Sequence, residues 1–128
     1  RTENAEILRK TLCNIKGLRI PKPKGKFKHA WYKFYCYLDL EFLKESWSRE
    51  KIIDEILGLG YPAFSGGCSE IYLEKCFSNL YQKPIERLKN ARILGETSLM
   101  FVVHNTINAN EMQNYASAIK KILLLALK

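Results

Sequence analysis

No two of the four cysteines, Cys13, Cys36, Cys68 and Cys76, stand in a CxxC pair, so neither a zinc knuckle nor a thioredoxin-type redox pair is written in this chain. Scattered reduced thiols fit a cytoplasmic protein, and an ordinary core of this size does not need a disulfide framework. Long apolar runs are also missing. The longest, Leu99 to Val103 and Ile122 to Leu127, fall far short of the roughly 20 residues that cross a bilayer, so no membrane partner is expected. Histidine is scarce, with only His29 and His104, and no Ser/His/Asp or Cys/His constellation is legible around either. The phosphate-cradling patterns GxGxxG and GxxxxGK[ST] are absent, which excludes a self-contained nucleotide-binding fold. The chain opens at Arg1 rather than Met, on a polar helical pattern unlike the apolar core of a secretory signal, and a cut inside a longer protein is expected.

What the chain does hold is an average globular composition, 47% hydrophobic and 27% charged over 128 residues, enough for one continuous core and too little for two. Residues 1–128 are therefore expected to form a single domain. The net charge of +8 suits nucleic acid, an acidic surface or a phosphate-bearing small molecule, and charge alone does not choose among them.

The apolar spacing of Ala5, Leu8, Leu12 and Ile15 predicts a helix over Thr2 to Ile15, stopped by Gly17. The segment from Pro21 to Lys28, with a lysine at every second position from 22, reads as a basic loop. Trp31 to Asp39 alternates, placing Tyr32, Phe34, Cys36 and Leu38 on one face of a strand and Trp31, Lys33, Tyr35 and Tyr37 on the other. Ser48 caps a helix from Arg49 to about Leu57, with Ile52, Ile53, Ile56 and Leu57 inward and Gly58 and Gly60 ending it. A short extended segment, Tyr61 to Ser65, follows. Ser69 is placed to cap a short helix through Phe77, and Pro84 to open another that Gly95 closes. Ser98 to His104 reads as a strand buried on both faces. Asn108 and Glu111 form a capping box for a last helix that buries Met112, Tyr115, Ala116, Ile119 and Leu123. Such mixing predicts an α+β fold: a small, mainly antiparallel sheet with helices packed on one face.

Two stretches have the composition of binding sites. In Ser65, Gly66, Gly67, Cys68, Ser69, Glu70, Ile71 and Tyr72, adjacent glycines let the backbone approach a ligand, and amide donors at the next helix start suit an anion; a tight turn with a helix cap explains the same residues. Cys68 there has either a lowered pKa from the helix end or a buried, inert thiol. In the second stretch Lys22, Lys24, Lys26 and Lys28 lie near Phe27, Trp31 and Tyr32, a basic patch with stacking surfaces that makes an RNA- or polyanion-binding module the alternative function; a solvated loop again accounts for the pattern. An interaction domain covered by a partner is a third reading.

Several segments together resemble a known family. They are Arg1 with Asn4-Ala5 and Leu8 to Leu12; Gly17-Leu18-Arg19-Ile20-Pro21; His29-Ala30-Trp31-Tyr32-Lys33-Phe34-Tyr35; Gly60-Tyr61-Pro62-Ala63-Phe64-Ser65-Gly66; Cys68-Ser69-Glu70-Ile71-Tyr72-Leu73-Glu74-Lys75; and Ala91-Arg92 through Gly95-Glu96-Thr97-Ser98 to His104. In order and spacing the chain resembles the C-terminal small domain of the DegT/DnrJ/EryC1/StrS family of sugar aminotransferases, which use pyridoxal phosphate. Two positions depart from the pattern: His104-Asn105-Thr106-Ile107-Asn108 stands where the family commonly has His-Pro-Thr-Leu-Thr, which loosens a turn, and Gly67 stands where serine is expected.

The resemblance implies the C-terminal part of a type I aminotransferase fold that helps close the cleft for a nucleotide-linked sugar and is inactive alone. It further implies an N-terminal large domain carrying pyridoxal phosphate and its Schiff-base lysine, and a homodimeric, cytoplasmic parent serving polysaccharide pathways. No catalytic, cofactor or metal residue falls in this chain under that reading. The expected substrate contacts are Ser65, Gly66, Gly67, Ser69, Glu70, Tyr72 and Lys33, the last read as packing or phosphate-facing rather than as the Schiff base.

Overall fold

The computed structural model describes residues 1–79 and 84–128. Its elements run α1 (Thr2–Leu12), β1 (Leu18–Arg19), β2 (Phe34–Leu38), α2 (Arg49–Gly58), β3 (Ala63–Phe64), α3 (Lys89–Thr97), β4 (Ser98–Phe101) and α4 (Ala109–Ala126). The sheet is antiparallel in the order β1-β2-β4-β3, with Phe34 opposite Phe101, Tyr35 opposite Met100, Cys36 opposite Leu99 and Tyr37 opposite Ser98. Its two edge strands are only two residues long, which leaves little backbone open to further pairing.

Period-two alternation sends Phe34, Cys36 and Leu38 of β2 to the same side as Leu99 and Phe101 of β4. There they meet Ala5, Leu8 and Leu12 of α1, Ile52 and Ile56 of α2, and the inner stripe of α4 in one hydrophobic cluster. Three helices thus cover one face, as the α+β pattern predicts. Helix α4 is the longest, and its start is local chemistry: the Asn108 side chain accepts from the Glu111 N–H at 2.9 Å while Glu111 accepts from the Asn108 N–H at 3.0 Å. Its Met112, Tyr115, Ala116, Ile119 and Leu123 are all buried, as the spacing requires.

Several expectations are corrected. The strand begins at Phe34, not Trp31, because Trp31 adopts φ +49° in the left-handed region and ends the extended run. Its indole is consequently buried against Phe34 while Tyr32 faces solvent, the reverse of strict alternation. Ser69 caps no helix; only short 3-10 turns, Ile71–Leu73 and Lys75–Phe77, follow it. Helix α3 starts at Lys89 rather than Pro84, so Ile85 and Leu88 are exposed. Gly95 lies inside α3, which runs on to Thr97, because the Ser69 side chain rests on it: a Cβ at 95 would lie 2.0 Å from Ser69 Oγ. Leu57 of the expected α2 stripe is also exposed, with Ile52 and Ile56 carrying the burial.

Candidate functional site

The second face of the sheet is built by the other parity of the strands. Arg19, Tyr37 and Ser98 form one cross-strand row, and Tyr35, Met100 and Phe64 the next. The Arg19 guanidinium lies 4.4 Å from the centre of the Tyr37 ring. Over this face fold the segment after β3 and the N-terminus of the aromatic segment before β2, leaving three shallow concavities that share Tyr35 as floor.

The first concavity, about 330 Å³, lies between Pro21–Pro23 and the sheet and is lined by Lys22, His29, Lys33 and Tyr37. The second, about 370 Å³, is lined by His29, Lys33, Gly66, Gly67 and Met100. The third, about 220 Å³, runs from Gly67 and Ser69 to Leu94 and Gly95 of α3, which therefore packs on this face, opposite the other helices. His29, Lys33 and Tyr35 line both of the first two, so these form one continuous trough.

Gly66 has φ +105°, and a Cβ there would lie 2.9 Å from Tyr35 Cε1 and 3.4 Å from Ser98 Oγ. A glycine is required at 66 on both counts. The Ser98 hydroxyl donates to the Ser65 carbonyl, pinning the loop to β4. At Gly67 nothing lies within 4 Å of a hypothetical Cβ, so the side chain missing there relative to the family pattern leaves open space. Lys33 is half-buried, its Nζ 5.5 Å from the Tyr32 ring centre and 5.7 Å from that of Phe64, and it makes no salt bridge among the described residues.

Glu70 and Tyr72 are engaged elsewhere. The Tyr72 hydroxyl donates to Glu70 Oε1 at 2.6 Å and accepts from the Leu88 N–H at 3.0 Å; Arg87 donates from Nε to Oε1 at 3.0 Å and from Nη2 to Oε2. The Arg87 hydrogen bonds, followed by that of Tyr72, hold the buried Glu70 carboxyl down to about 2. This network ties the loop to the segment before α3. Cys68 is exposed, and its thiol is pushed up by the Glu74 carboxylate, to which it donates at 3.1 Å; both expected states of this cysteine are corrected.

Two lining residues escape a reading of the sequence. His29 has no partner in view there, yet the Trp31 N–H donates to its Nδ1 at 2.8 Å and its ring stacks 4.2 Å from the indole. A backbone N–H only donates, so Nδ1 is the acceptor and the ring proton sits on Nε2. Lys22 is one lysine among four, exposed, and distinguished in the sequence only by a proline on either side. His104 stays with its own turn, its Nδ1 2.9 Å from Thr106 Oγ1.

No family model and no curated protein matches the chain. Solved structures do. An aminotransferase from Psychrobacter cryohalolentis is 41% identical with a TM-score of 0.91, over 98% of this chain and 34% of its own. A DegT DnrJ EryC1 StrS aminotransferase from Brucella abortus superposes with a TM-score of 0.73 at 12% identity, over 94% of this chain and 29% of its own. The chain has the fold of the C-terminal small domain of the DegT/DnrJ/EryC1/StrS aminotransferases. Helicobacter pylori PseC, an aminotransferase involved in the biosynthesis of pseudoaminic acid, shares that fold with a TM-score of 0.80 at 17% identity, over 97% of this chain and 32% of its own. The chain spans about a third of the length of each of these DegT/DnrJ/EryC1/StrS-fold proteins. No helix among the described residues is long and apolar enough to cross a membrane.

Proposed function

We propose that the chain is the small domain of a pyridoxal-phosphate-dependent nucleotide-sugar aminotransferase, and that its second sheet face, with the Gly66-Gly67 loop, closes one side of the substrate cleft. The observation that carries this reading is the 41% identity to an aminotransferase over nearly the whole of this chain but a third of that one. Support also comes from the trough, which is apolar at its floor and carries a few polar groups, the usual make-up of a small-molecule site.

The trough does not make a cofactor site by itself. Among the described residues no carboxylate lines it to pair a pyridinium nitrogen, and Lys33 lies against two aromatic rings without an acid partner. Pyridoxal phosphate, which supplies the electron sink when bound, and its lysine belong in this reading to an N-terminal large domain, in a cytoplasmic homodimer. Within this chain Ser65, Gly66, Gly67 and Ser69 shape the wall near the sugar, Lys33 offers charge, and Glu70 and Tyr72 brace the loop from behind.

The test is the coding sequence upstream of Arg1 together with the activity of its product. A few hundred residues of α/β pattern containing a cofactor lysine, and amino transfer to a nucleotide-linked keto-sugar, are expected. An initiator codon immediately before Arg1 would remove the aminotransferase reading.

A further inference from the structure

Two aromatic rings compete for one place at the start of β2. Carried back past Phe34, the alternation of the strand puts Tyr32 on the side of Phe34 and Cys36, and Trp31 on the side of Tyr35, over the trough. The observed arrangement is the reverse. With its backbone at φ +49°, Trp31 turns its indole inward against Phe34, ring centres 5.8 Å apart, and Tyr32 is left 73% exposed. A left-handed residue at 31 therefore selects which of the two rings enters the core.

Bulky residues rarely adopt that backbone, so something must offset its strain. Burial does little to decide the matter, because either arrangement places one large ring inside. Hydrogen bonds do more: Arg1 donates to the carbonyls of Trp31 at 3.5 Å and Tyr32 at 3.0 Å, and the Trp31 N–H donates to His29 Nδ1 at 2.8 Å, under a ring stacked 4.2 Å from the indole. Strain at one residue and one such bond are of similar size, so losing a bond is enough to tip the corner.

Only the His29 bond depends on a proton. It needs the lone pair on Nδ1, and histidine is the side chain that changes charge near neutral pH. Once Nδ1 carries a proton, a donor faces a donor. His29 is exposed, so a proton reaches it without unfolding. The groups that face it around the trough are Lys22, Lys33, Tyr32, Tyr35 and Tyr37, with Lys28 beside it in the chain and Arg1 behind the corner; Gly66, Gly67 and Met100 bring no charge. No carboxylate among these residues pairs with the imidazolium to hold it where the neutral ring sits.

We propose that His29 and Trp31 form a proton-sensitive gate over the trough. The neutral imidazole keeps the indole in the core and the trough open. Protonation frees Trp31 to become extended, exchanges its ring for that of Tyr32, and lays the indole over Tyr35. The gate belongs to this corner and stands whatever the trough binds.

The experiment follows Trp31 in the 128-residue chain between about pH 8 and about pH 5. Trp47→Phe removes the other indole; fluorescence emission and acrylamide quenching then report the exposure of Trp31, while NMR follows the His29 ring nitrogens and the Trp31 amide. As pH falls, emission should move to the red and quenching should strengthen, with the midpoint at which the His29 nitrogens titrate. The ratio of inward to outward indole should change about tenfold, the scale of leaving one donor unpaired. His29→Asn keeps an acceptor two residues before the N–H, as in an Asx turn, and should hold the indole inside throughout. His29→Phe keeps a ring beside the indole without an acceptor and should raise the outward fraction at both ends of the range. His104→Gln should leave the transition in place. An indole and a Trp31 amide that stay unmoved while His29 titrates would overturn the gate, as would the same transition in His29→Asn or an inward indole in His29→Phe. So would loss of amide dispersion across the whole chain over that range, because the indole would then be exposed by unfolding.

Discussion

Gly66→Val tests whether the loop conformation is imposed by geometry. Backbone at φ +105° costs a β-branched residue about 1–2 kcal/mol, by analogy with left-handed residues generally. The new side chain also meets Tyr35 at 2.9 Å and Ser98 at 3.4 Å, and overpacking of this kind costs about 1–3 kcal/mol. Stiffening the unfolded chain returns about 0.4–1 kcal/mol, so the net loss should be about 1–5 kcal/mol. The two-residue strand β3 holds the loop weakly, and part of this loss should appear as local displacement. Urea unfolding of the chain measures the global part, and the amide shifts of Tyr35 and Ser98 the local part. Gly67→Val is the matched control: nothing lies within 4 Å of its Cβ, and its change should stay within about 0.5 kcal/mol. If the proposed aminotransferase reading holds, Gly66→Val in the full-length protein should impair use of the sugar substrate while leaving cofactor absorbance intact. Equal melting of the two variants, with unmoved Tyr35 and Ser98 amides, would refute the argument.

Asn4 is buried, and its Nδ2 donates to the carbonyls of His104 at 2.8 Å and Ile107 at 3.0 Å, so Asn4→Ala should cost about 2–3 kcal/mol in the same urea assay; a change below about 0.5 would show that water replaces both bonds. Because the folded Glu70 carboxyl is depressed from 4.5 to about 2, its ion pair contributes fully above that ordinary value and is lost as pH falls through the window toward 2; Arg87→Gln should move the Glu70 titration, followed by carboxyl-carbon NMR, back up toward 4.5. An unmoved titration would assign the shift to Tyr72 instead. The 128-residue chain incubated with pyridoxal phosphate should give no turnover and no single borohydride-trapped lysine; a specific adduct with turnover would place the catalytic lysine here.

Interactions between near neighbours in the chain are legible in the residues themselves. The α4 capping box joins residues three apart, the α1 and α4 stripes repeat within each turn, and Gly66 announces an unusual backbone by lacking a side chain. The family resemblance rests on the same kind of short segments, which is why it survives errors in individual element boundaries. What tertiary structure alone decided are pairings between distant residues: Asn4 with His104 and Ile107, Glu70 with Arg87, and Ser69 against Gly95. The left-handed Trp31 belongs with these, since no local rule puts a bulky residue there. Burial of its indole against Phe34 and the bond to His29 offset the strain, and both exist only once the sheet has formed. The alternation of β2 by itself determined that Tyr35 and Tyr37 share a face. That this face is the one without the three-helix layer, and that Lys22 and His29 fold back over it, follows from those helices already covering the other side.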